Sequence, residues 1–354
     1  MAIPGANRHD QSEAFDYLCV DSFIRDIVGA RALATAFEIR LIDSLLRNKH
    51  TTIDSLTEQF GMGSHGMRLL LDLLRANGVV KNENGKLSLT EEFVHALQFR
   101  ELLELKLIMT NFAAHDLLDY FSDLVSRPEQ FVHEVRFFRL FSYNRCFDYS
   151  QGNYELAKRW MRITTTFTKY EAQVCMKHHD FGRYRRILDI GGNSGEFILQ
   201  ICRRNPGTLA TVFDLPLVCD IGQEHIRSEP EADRISFIKG NALTDPLPEG
   251  FDLIIFKSML HDWPEKEAKQ FIEKASRSLE SGGTLLIFER GPLEVRERSL
   301  PYSMIPFLLF FHSFRSPVVY EEQFKDLGFQ DIKVERVNLE TPFYLVTAKK
   351  KPSE

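Results

Sequence analysis

The residues best placed to do chemistry are Lys257-Ser258-Met259-Leu260-His261-Asp262-Trp263. They follow an apolar run at 251–256 that reads as a buried strand. An imidazole beside an acid suits proton transfer near neutral pH, where small shifts move its charge across the working range. A lone histidine is more often a hydrogen-bonded structural residue, but its place just past a strand raises His261 above that reading. A second apolar run, 284–288, ends in Glu289. A carboxylate there could hold the second ring nitrogen, fix the tautomer and stabilise the imidazolium. The bland alternative for Glu289 is a salt bridge to Arg290 or a helix cap.

A second group of residues reads as a ligand cradle. Ile187-Leu188-Asp189-Ile190 is a short buried strand that breaks at Gly191-Gly192 and continues through Asn193-Ser194-Gly195 into a helix at about 194–204. Glycines let the backbone approach a ligand, and the helix start offers free N–H groups. The spacing is G-G-x-x-G, not the G-x-G-x-x-G that cradles a dinucleotide pyrophosphate. The next β-rich run, 208–213, ends in Asp214, 25 residues after Asp189. A carboxylate there suits ribose hydroxyls. Two acids at matching strand ends, facing one glycine turn, describe a nucleoside site without a pyrophosphate. That points to S-adenosylmethionine rather than NAD.

These groups need a common frame. Strands are expected near 187–190, 209–213, 235–239, 251–256, 283–288, 331–336 and 343–348, with helices between most of them. A largely parallel sheet covered on both faces follows. Ligands of such sheets bind beyond the carboxyl ends of the strands, so Lys257 and His261 share a rim with Gly191 and Asp214. Pro216 and Pro264 sit where first-turn prolines belong, and Gly282 where a helix would end. Residues 100–182 read as mainly helical and rich in phenylalanine, as core or as the lining of a cleft for a flat apolar substrate.

Toward the N-terminus, residues 1–20 are polar and expected to be loosely held. One long amphipathic helix is expected from residue 22 to 45, then a second helix at 64–77 and a hairpin at 78–90. Helix, helix and hairpin together are winged-helix architecture. Phosphate neutralisation dominates DNA affinity, yet residues 51–91 carry four Lys/Arg against five Asp/Glu. A structural or dimer-forming role is favoured over a DNA-binding regulator.

Length and composition bound the rest. At 354 residues the chain supports about two domains. A net charge of −6 with interspersed signs advertises neither a nucleic-acid nor an anionic-membrane surface. Five cysteines without a C-x-x-C pair suit reduced thiols in a cytoplasmic protein. No signal peptide, no run long enough to span a membrane and no metal-ligand spacing is seen; the pair His178-His179 reads as surface.

The blocks Leu188-Asp189-Ile190-Gly191-Gly192, Phe213-Asp214-Leu215-Pro216, Pro246-Leu247-Pro248, Lys257 through Trp263 and Gly282-Gly283 resemble the class I S-adenosylmethionine-dependent small-molecule O-methyltransferases of the caffeate and acetylserotonin type. The resemblance spans most of 155–350. It implies a Rossmann-like doubly wound α/β methyltransferase sheet behind a mainly α-helical winged-helix N-terminal dimerisation domain. The domains would be 1–105 and 106–354, the second a helical linker plus catalytic domain with its sheet from about 185. It implies a homodimer that binds neither nucleic acid nor membrane. His261 would be the general base and Glu289 its partner. Asp189, Gly191, Gly192, Asp214, Leu215, Gly240, Asn241, Ala242, Lys257 and Ser258 would bind S-adenosylmethionine, and its product S-adenosylhomocysteine. Met161, Thr165, Trp263, Phe307 and Phe311 would line the substrate cleft, and no metal is expected.

The chain departs from the family pattern at three places. Gly240-Asn241-Ala242 stands where the family has Gly-Asp and an apolar residue; Asn241 can still accept from an adenine amino group, without the charge. Asn193 replaces a third glycine. Val318 lies where relatives place a second acid near the histidine. The expected reaction is methyl transfer to a hydroxyl of a small apolar, aromatic, secondary-metabolite-type acceptor. C- or N-methylation, or a hydroxylase or decarboxylase on the same fold, are the alternatives, since function lives in the site and not the fold.

Overall fold

The computed structural model describes residues 15–295 and 300–352, so the expectation for residues 1–20 falls mostly outside it. The chain divides into two compact units, Met1–Leu103 and Glu104–Glu354.

In the first unit the helix expected at 22–45 is two helices, Ile27–Glu38 and Leu41–Arg47. Arg40 between them takes a left-handed backbone, φ 61°, which interrupts the hydrogen-bond ladder although the apolar spacing runs on. Helix Ile53–Phe60 starts at Thr52, whose side chain accepts the Ser55 N–H, and helix Ser64–Ala76 follows. Strands β1 (Val80–Glu83) and β2 (Lys86–Leu89) form an antiparallel hairpin. Its turn is Asn84-Gly85, both at positive φ, as a tight hairpin with right-handed twist requires. Leu33, Leu41, Leu56, Met67, Leu74 and Phe93 are wholly buried in this unit.

The second unit opens with helices, chief among them Gln151–His178. Its sheet comprises β3 (Arg186–Ile190), β4 (Leu209–Asp214), β5 (Ile235–Lys239), β6 (Phe251–Lys257), β7 (Leu279–Arg290), β8 (Gln330–Asn338) and β9 (Pro342–Lys349). Their order is β5-β4-β3-β6-β7-β9-β8, parallel except that β9 runs antiparallel to both neighbours. The order reverses between β3 and β6, and this switch point opens a crevice at the strand ends. Gly282, expected to end a helix, lies four residues beyond the last helical residue, Ser278. It is at φ 75° in an irregular start to β7, where pairing with β6 shifts register.

Alternation along each strand divides the core in two. Ile187, Val212, Leu253, Ile255, Leu286 and Phe288 pack on one face, with Ala172 and Cys175 of helix Gln151–His178. Leu188, Ile190, Phe213, Ile254, Phe256, Leu285 and Ile287 pack on the other, with helix Glu265–Ser278. No helix of the described residues is long and apolar enough to cross a membrane. Phe288 is fully buried with its ring 4.8 Å from that of Phe343. Phe288→Ala should therefore destabilise the chain by about 3–5 kcal/mol in a urea titration.

Candidate active site

The rim of the sheet is built from strand ends whose backbones are bent to fit it. After β3, Gly191 and Gly195 stand at φ 70° and 75°, and Asn193 at 56°. Asparagine tolerates this left-handed region better than most residues, so the missing third glycine leaves the turn intact. The Asn193 side-chain oxygen also accepts the Ser194 N–H at 2.8 Å and the Thr164 hydroxyl at 3.3 Å. At Gly192 a Cβ would lie 2.7 Å from Asp189 Oδ2, so the turn rests directly on that carboxylate. The Asn193 N–H donates to Asp214 Oδ2 and the Leu215 N–H to Oδ1, at 2.8 and 2.7 Å, which fixes the second acid against the first turn.

The two acids differ in what satisfies them. Asp214 has one backbone donor on each oxygen, whereas both oxygens of Asp189 are buried with no hydrogen-bond partner. Burial pushes Asp189 up to about 8, against the opposing pull of Lys257. Burial likewise raises Asp214 to about 6, partly offset by the N–H groups of Asn193 and Leu215. Paired acids at a glycine-lined crevice fit a cationic nucleoside better than an anionic one. The residues present therefore suit a sulfonium-bearing adenosyl group.

Across the crevice, a short helical turn after β6, Leu260–Asp262, carries His261. Ser258 at φ 49° turns the chain, and its N–H donates to the Phe288 carbonyl at 3.0 Å. Glu289 at the end of β7 accepts three donors. The Met259 and Leu260 N–H groups bind Oε1 at 2.6 and 2.7 Å, and His261 Nδ1 lies 2.7 Å from Oε2. The alternative partner for Glu289, an ion pair to Arg290 or a helix cap, is not what the geometry gives. Asp262 Oδ1 stands 3.4 Å from His261 Nε2, while its Oδ2 accepts the Tyr143 hydroxyl. Arg315 clamps the same turn by donating to the carbonyls of Leu260, at 2.7 Å, and Trp263. Burial lowers the His261 pKa, but the carboxylates of Asp262 and Glu289 outweigh it and the net shift is upward. Burial raises Asp262. Glu289 is lowered because His261 and the two N–H donors overcome its own burial.

Apolar rings close the acceptor side. Tyr143 stacks on Trp263, centroids 5.9 Å apart and planes 7° off parallel. Phe310 and Phe314 present edges to the His261 ring at 6.1 and 5.4 Å. Phe307 packs against Phe167 on the opposite wall.

Of the expected cofactor residues, Asp189, Gly191, Gly192, Asp214, Leu215, Gly240, Asn241, Ala242, Lys257 and Ser258 all line this one cleft, as do His261, Trp263 and Phe307. Several details differ from expectation. The Lys257 ammonium is engaged by Glu171 and, at 2.8 Å, by Thr168. The Asn241 side-chain oxygen already accepts the Leu243 N–H at 3.0 Å. Met161 and Thr165 do not line the cleft: Met161 packs with Cys146, Ala157 and Leu217, and Thr165 donates to Ser194 at 2.7 Å. Their helical neighbours Trp160 and Thr164 take the lining positions, since one residue is about 100° of helix. Phe311 is 43% exposed, and Phe310 and Phe314 face the histidine instead. Val318 is half exposed at the head of helix Val318–Asp326. His179, expected at the surface, is buried against Tyr184, and burial lowers its pKa to about 4.

Sequence reasoning missed Tyr143, Glu171 and Arg290 as members of the site, and named Asp262 only as the acid beside His261. Tyr143 and Glu171 come from distant helical segments whose pattern carries no signal for the cleft.

Residues 120–330, more than half of the chain, match the O-methyltransferase domain family. Among characterised proteins, the 3-hydroxy-5-methyl-1-naphthoate 3-O-methyltransferase of Streptomyces sahachiroi is 36% identical over 35% of this chain and 36% of its own length. The acetylserotonin O-methyltransferase of Bos taurus is 31% identical over 48% of this chain and 49% of its own. The chain thus spans about a third to a half of the length of these relatives. Human N-acetylserotonin methyltransferase in complex with SAM has the same fold, with a TM-score of 0.64 at 19% identity over 98% of this chain and 100% of that one.

A raised histidine pKa stabilises the folded chain below the unfolded value, and that contribution is lost as pH rises through the folded one. Asp262→Asn removes one of the two carboxylates that raise His261. Its imidazole midpoint, followed by NMR titration, should move to lower pH than in the unaltered chain.

Proposed function

This chain belongs to the O-methyltransferase domain family, and we propose that it moves a methyl group from S-adenosylmethionine to a hydroxyl of a small, apolar, aromatic acceptor of the secondary-metabolite type. One observation carries the reading. His261 is held through Nδ1 by Glu289 at 2.7 Å, so Nε2, 3.4 Å from Asp262 Oδ1, is the nitrogen that can meet an acceptor on the rim that also holds Asp214 and the glycine turn. The naphthoate relative, whose name specifies an aromatic hydroxyl, adds support. The N-terminal helices and hairpin are assigned by resemblance to a winged-helix module through which two copies pair.

The bound donor supplies the methyl group as an electrophilic sulfonium. This chain's residues position and deprotonate. Asp214 and the turn after β3 orient the adenosyl end, while Trp263, Phe307 and Phe310 hold a flat acceptor by ring contact and exclude water. Nε2 of His261 takes the hydroxyl proton, and Glu289 stabilises the resulting imidazolium. A phenol with pKa ~10 lies about 3.5 units above a free imidazole, roughly 5 kcal/mol uphill. The upward shift of His261 narrows this gap. The base must be neutral to act, so the rate rises with pH through that raised value.

Two measurements test the reading. Product mass spectrometry should give a 14-dalton gain with one S-adenosylhomocysteine per product; oxidised or decarboxylated product overturns methyl transfer. His261→Ala should lower kcat by about 10²–10⁴ while leaving calorimetric affinity for S-adenosylmethionine nearly unchanged. A loss below tenfold would remove His261 as the base.

A further inference from the structure

Strand alternation sends two cations to the same face of the sheet. Lys257 ends β6 one step past Phe256 of the opposite core face, and Arg290 ends β7 two steps past Phe288 of the same face. Among the described residues lining the cleft these are the fixed cations beside His261. A lysine and an arginine are poor neighbours for a positively charged ligand, because Coulomb repulsion is strong where water is excluded.

Both are cancelled by carboxylates that are themselves buried. Glu171, on helix Gln151–His178, is 0% exposed and pairs with Lys257 through one oxygen and with Arg290 through the other. Arg290 is also bound at 2.9 Å by Glu340, which is almost wholly buried. The four charges balance, and the donor end of the cleft is left with Asp189 and Asp214. Burial opposes the ionisation of Glu171, but Arg290 and Lys257 prevail and its pKa is lowered. A structural ion pair would need only one cation, whereas Glu171 reaches two consecutive strand tips and lines the cleft itself.

We propose that Glu171 is a specificity-determining residue that neutralises Lys257 and Arg290, letting the cleft accept the positive charge of the donor. This rests on S-adenosylmethionine being the donor. The two molecules differ by one methyl group and one positive charge, so the ratio of their affinities isolates the electrostatic part from shape.

Calorimetric titration of the full chain with S-adenosylmethionine and with S-adenosylhomocysteine is the test. Glu171→Gln leaves one uncompensated cation and should weaken the sulfonium donor by at least about tenfold, and the product by less than about threefold. Glu171→Asp, which keeps the charge, should preserve the wild-type ratio even if both affinities fall. Glu171→Gln combined with Lys257→Met restores balance and should return the ratio to within about threefold of wild type. Equal losses for both ligands in Glu171→Gln, an unchanged ratio, or no recovery in the double variant each overturn the proposal. A wild-type chain that binds neither ligand overturns the proposed function instead.

Discussion

The histidine end of the cleft depends on one buried carboxylate. Glu289 gathers two backbone N–H groups and a ring nitrogen, so the turn at 258–261 and the histidine on it are fixed together. A carboxylate that accepts three donors stays ionised despite its burial, and an ionised carboxylate holds the imidazole in one orientation. The other ring nitrogen, Nε2, lies 3.4 Å from Asp262 Oδ1. Truncating Glu289 would free the histidine and unsatisfy two amides at once, which is costlier than losing a simple salt bridge.

Sheet geometry decides which charges meet. Glu289 and Arg290 are adjacent in sequence, yet the pleat turns them to opposite faces. Glu289 meets the histidine turn, and Arg290 meets Glu171 and Glu340. Two electrostatic systems are thereby packed against one strand end, linked where Arg290 donates to the Ser258 hydroxyl at 3.4 Å. The crossover from β3 to β6 brings the acids of one half-sheet and the histidine of the other to one cleft.

How much of this was legible in the sequence follows from the range of the signals. The seven strands of the second unit were readable because continuous apolar runs bounded by turn residues are local, and the rim residues followed from the strand ends. The break at Arg40 was not readable, because a left-handed arginine leaves the apolar spacing unchanged on either side. Placement on helix Gln151–His178 was off by one residue at Met161 and Thr165, as was Phe311 beyond it. Sequence alignment with a family pattern names a segment, while helix rotation decides which side chain faces inward. Glu171 could not be found at all: a glutamate on an amphipathic helix reads as solvent-facing until its two cations are seen. The Asn193 departure, in contrast, proved conformationally neutral once its backbone angle was known.

The chain contains two tryptophans, Trp160 and Trp263, and both line the cleft. The indole nitrogen of Trp160 is buried without a hydrogen-bond partner, and Trp263 is stacked on Tyr143. Indole emission depends on local polarity and on ring contacts. The tryptophan emission of this protein therefore originates within the cleft, and an unlabelled sample carries its own optical gauge of occupancy.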